Sequence, residues 1–114
     1  MSTDRELLEK AAKAAGILGK WDDDRAGLEI AVPWRNFTNY ETWNPLTDDG
    51  DALRLAVKLD IDLLSSTGNG PSVVYPLRGD FDGLTEWCDK PNEKLNATRR
   101  AIVRAAAAIG ESMP

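Results

Sequence analysis

The chain has 114 residues and 12.5 kDa, a length that one domain fills and at which folding buries about two-thirds of the unfolded surface. A single cysteine, Cys88, and the absence of histidine exclude an internal disulfide framework, the usual zinc sites and imidazole catalysis. The net charge of -5 and pI near 4.7 argue against a direct nucleic-acid partner, and no apolar run approaches the roughly 18 residues of a membrane span.

Thr3 and Glu6 have the S/T-x-x-E spacing of a capping box, followed by Leu7, Leu8, Ala11, Ala12 and Ala15 on one stripe and then Gly16. This predicts a first helix over residues 4–15. Residues 19–27, with Trp21 and then Asp22, Asp23 and Asp24, read as a loop. Leu28, Ile30, Val32 and Trp34 then alternate with Glu29, Ala31, Pro33 and Arg35, the period of a strand with one buried face. Pro33 cannot donate to a ladder, so the strand lies at an edge or its pairing ends there. Residues 36–43 are expected to form a loop, in which Phe37 and Tyr40 continue the spacing of Trp34 and Trp43.

Pro45 holds Asn44 away from helical geometry, so the next helix begins after the WNPL run, with Thr47 or Asp48 as N-cap. Asp48, Asp49 and Asp51 complement the positive end of its dipole. Ala52, Leu53, Leu55, Ala56, Val57 and Leu59 cover roughly 200 degrees of its circumference, leaving Arg54 and Lys58 on a wet stripe. Such breadth predicts contacts on more than one side and makes this helix the expected centre of packing.

Residues 60–64 read as a short strand, and Val73, Tyr75 and Leu77 as its return after the Asn69-Gly70 turn signal. Residues 78–91 are expected to be loop, or a short turn of helix around Trp87. A last helix follows Pro91, with Leu95, Ile102, Ala106, Ile109 and Met113 on its apolar face and Arg99, Arg100 and Arg104 away from it. Its alanine run permits close approach of another element, a second copy of the chain included.

Together these elements predict an α+β fold, an α-β-α layered sandwich in which three helices cover a small, mainly antiparallel sheet of about three strands, as one domain over residues 1–114. The blocks DRELLEKAAKAAG, WNPLTDDGDALRLAVKL and ATRRAIVRAAAAIGE, in that order, resemble small bacteriophage and prophage proteins near the phage ABA-sandwich domain and the NinX-like phage proteins. The resemblance implies a phage origin and an α-β-α layered fold. It carries over no catalytic residues.

Residues 22–27 open like a calcium loop, but Ala26 stands at its fifth position and Pro33 at its twelfth, where a bidentate glutamate belongs, so a solvated acidic loop is expected. Asp80 and Asp82, between Gly79 and Gly83, read as a turn. Helix capping accounts for Asp48, Asp49 and Asp51 without a metal, and the glycines match no nucleotide-cradling motif. Cys88 lies between Trp87 and Asp89, where negative charge discourages a thiolate. No pair of acids is singled out for catalysis, so neither enzymatic activity nor a cofactor is expected.

The charged N-terminal residues and the lone cysteine fit a cytoplasmic protein. Residues 22–62 hold ten acids against four bases. The expectation is therefore a non-catalytic phage accessory protein that binds a host protein in the host cytoplasm, with antagonism of a host defence system as its expected role. Candidate contacts are the aromatics Phe37 and Tyr40 with the acids Asp22, Asp23, Asp24, Asp48, Asp49 and Asp62, which in one mechanism stand in for the phosphates of DNA. The alternative is a nucleotide-binding module in which an aromatic stacks on a base and Arg78, Arg99 or Arg100 holds phosphate.

Overall fold

The computed structural model describes residues 3–32, 39–65, 72–76, 84–86 and 93–113. Helix α1 spans Asp4–Ala15, and both its ends are set by local chemistry. The Thr3 hydroxyl accepts from the Glu6 N–H at 3.2 Å while the Glu6 carboxylate faces the Thr3 N–H, and Gly16 closes the helix at φ 70. Leu8, Ala11, Ala12 and Ala15 form its buried stripe, as their spacing predicts.

The following segment departs from the expected loop. Strand β1 (Gly19–Asp22) pairs antiparallel with β2 (Gly27–Val32), and β2 pairs antiparallel with β3 (Asn39–Trp43). Two of these strands, β1 and β3, replace stretches expected to be loops. Neither GKWD nor NYETW alternates cleanly in polarity, so its strand character comes from pairing with β2.

Helix α2 spans Asp49–Lys58 with Asp48 as N-cap, within the expected bounds. Its role differs. Ala52, Leu55 and Ala56 are buried, but Leu53 is 59% and Val57 69% exposed and Leu59 is half-buried, so only one side of the apolar arc meets the core.

A second antiparallel sheet follows. Strand β4 (Ile61–Ser65) pairs with β5 (Ser72–Pro76), the expected hairpin, and β5 pairs with β6 (Leu84–Glu86), a strand within the expected loop. The Asn69-Gly70 signal, the turn around Trp87, and Arg78, Asp80, Asp82 and Cys88 lie outside the described residues, as do Trp34 and Phe37.

Helix α3 spans Lys94–Ser112 and is the hub, touching α1, α2, β5 and β6. Its buried residues are Ala97, Ala101, Ile102, Val103, Ala105, Ala106, Ala107 and Gly110, whereas Leu95 and Met113 are exposed. The expected face is thus rotated toward the alanines, because small residues let α1 approach closely. A Cβ on Gly110 would overlap the Lys10 carbonyl oxygen of α1. The two helices run parallel, since Asp4 meets Arg100 at 3.4 Å near their starts and the Lys13 ammonium donates to the Met113 carbonyl at 3.1 Å near their ends. The alanine surface read as available to a second copy is occupied within the chain.

The class is α+β, the described residues forming three helices and two three-stranded antiparallel sheets against which they pack. Buried residues of all three helices join Leu28 and Trp43 of the first sheet and Ile61 of the second in one cluster.

Candidate functional site

The WNPLTDDGD stretch gathers several of the candidate acids, and Asn44 organises it. The Asn44 backbone N–H donates to Asp51 Oδ2 at 3.0 Å, and its carbonyl accepts from the N–H groups of Thr47 at 3.1 Å and Asp48 at 2.9 Å. Its side-chain Oδ1 accepts from the Leu46 N–H at 2.9 Å, while Nδ2 donates to the Ala26 carbonyl at 2.6 Å. Pro45 has no N–H to satisfy and is fully buried beside it. The tie to Ala26 joins the start of α2 to the β1–β2 turn.

Each of the three acids at this helix start has its own structural task. Asp48 Oδ1 accepts from the Gly50 N–H at 2.9 Å as the cap, and stays exposed. Asp49 meets Arg99 of α3 at 2.5 Å, and the Arg99 Nε donates to the Leu46 carbonyl at 2.9 Å. Asp51, only 7% exposed, holds the Asn44 N–H with one oxygen and Arg54 at 2.8 Å with the other. Arg99, expected on the wet side of the last helix and considered as a phosphate ligand, has a side chain only 14% exposed and also meets Asn96. It latches α3 to the segment before α2.

In the turn between β1 and β2, Asp22 Oδ1 accepts from the Asp24 N–H at 3.0 Å, an Asx arrangement that reverses the chain. Asp23 Oδ1 accepts from the Trp21 indole N–H at 2.6 Å, and the Arg5 guanidinium lies 5.5 Å from the Trp21 ring centroid. Asp23 and Asp24 are exposed. The Asn44–Ala26 bond ties the turn that carries Asp22, Asp23 and Asp24 to the segment that leads into Asp48 and Asp49. Among the described residues, no three of His, Cys, Asp and Glu are grouped so as to hold a metal ion.

The remaining candidates lie elsewhere. Tyr40 pairs with Ala31 in β3, toward the end of the first sheet away from the turn, and about 10 Å along the strand from Trp43. Asp62 is exposed in β4, beyond the C-terminal end of α2 and about 15 Å along that helix from Asp48. Sequence reasoning missed the central part of Asn44, although an Asn-Pro pair between a strand and a helix signals a fixed turn.

Comparison with known protein families, curated proteins and solved structures found no match. Among the described residues no helix is long and apolar enough to cross a membrane.

Proposed function

We propose that this protein is a non-catalytic accessory protein of phage type that acts in the host cytoplasm by binding a host protein, with the acidic end of the molecule as its contact surface. The observation that supports this reading is the 2.6 Å bond from Asn44 to the Ala26 carbonyl, which ties the turn that carries Asp22–Asp24 to the segment that leads into Asp48 and Asp49. Asp23, Asp24, Asp48 and Asp49 are all exposed, so they are open to a partner with a basic surface. Antagonism of host defence follows if that partner's basic surface serves to hold nucleic acid. The phage assignment rests on the three sequence blocks that resemble phage proteins.

Affinity capture of the tagged protein from a bacterial host, at low and high salt, tests this reading. The expected partner is released as salt rises, and Asp23→Asn with Asp24→Asn weakens capture without lowering the unfolding midpoint. Asparagine keeps the oxygen that accepts from Trp21, so the turn survives the change. Capture that ignores both salt and these substitutions overturns the acidic surface as the site. Loss of capture on replacing Phe37 and Tyr40 by serine, at unchanged stability, would instead place the contact on the aromatic segment.

A further inference from the structure

We draw no further inference here: the strongest candidate, the exposed apolar pair Leu53 and Val57 one turn apart on the outer face of α2, is an unpartnered helix face, and nothing in the structure shows what covers it.

Discussion

Asp51 has a buried carboxylate whose two oxygens face partners of different cost. Its bond to the Asn44 N–H replaces water that this part-buried amide has lost, whereas Arg54 has a side chain 69% exposed and keeps its hydration. Asp51→Ala is therefore expected to lower stability by about 1–3 kcal/mol, and Arg54→Ala by less than about 1 kcal/mol. Urea titration of both variants checks the ranking; equal losses would mean that the ion pair, not the amide, holds Asp51. Ala26 offers a change of opposite sign, because it sits at φ 52, where an L side chain is strained. Ala26→Gly keeps the carbonyl that Asn44 grips and is expected to raise stability by about 1 kcal/mol, read as a higher thermal midpoint.

Helix α2 is half-used and α3 is fully used, which separates the effects of similar substitutions. Leu55→Ala removes a buried side chain and is expected to cost about 2–5 kcal/mol, while Leu53→Ala on the exposed side is expected to stay within about 0.5 kcal/mol. A denaturant midpoint for each decides whether the face is assigned correctly. Gly110 gives a sharper test of the α1–α3 contact. Helix propensity alone makes Gly110→Ala stabilising by about 1 kcal/mol. Overlap with the Lys10 carbonyl predicts the reverse, a loss of about 1–3 kcal/mol from forced helix separation, so the sign of the shift is the measurement.

Across the whole molecule, acids and bases are interspersed. Arg25 is exposed beside Asp23 and Asp24 in the β1–β2 turn, Arg54 meets Asp51 at the start of α2, and from α3 Arg99 faces Asp49 and Arg100 faces Asp4. Exposed carboxylates of this kind act over a Debye length of about 8 Å at physiological ionic strength, so they influence encounter more than a docked complex. With a captured partner purified, Asp23→Asn with Asp24→Asn is expected to slow association severalfold at low salt and to change dissociation little. Surface plasmon resonance at two ionic strengths reads both rates. A change confined to dissociation would mean that these residues are docked contacts.

The first helix was fully legible, because Thr3, Glu6 and Gly16 act within one turn of their own chain and need no partner elsewhere. The start of α2, to within Thr47 or Asp48 as N-cap, and the β4–β5 hairpin were legible for the same reason: capping oxygens, proline and alternation are local causes. Strands β1 and β3 were not, since GKWD and NYETW become strands only when β2 supplies their hydrogen bonds. The burial of α2 is narrower than its apolar arc, because periodicity reveals which residues share a face but not how wide a neighbour that face meets. Leu53 and Val57 are as apolar as Leu55, and only the position of α3 and the sheets decides which of them is covered. The acids of the candidate site were legible one by one. Their division into cap, latch and clamp, and the tie between the β1–β2 turn and the segment before α2, depends on Arg99 and Asn44 reaching across 50 and 18 residues of chain, a distance at which only the tertiary fold determines who meets whom.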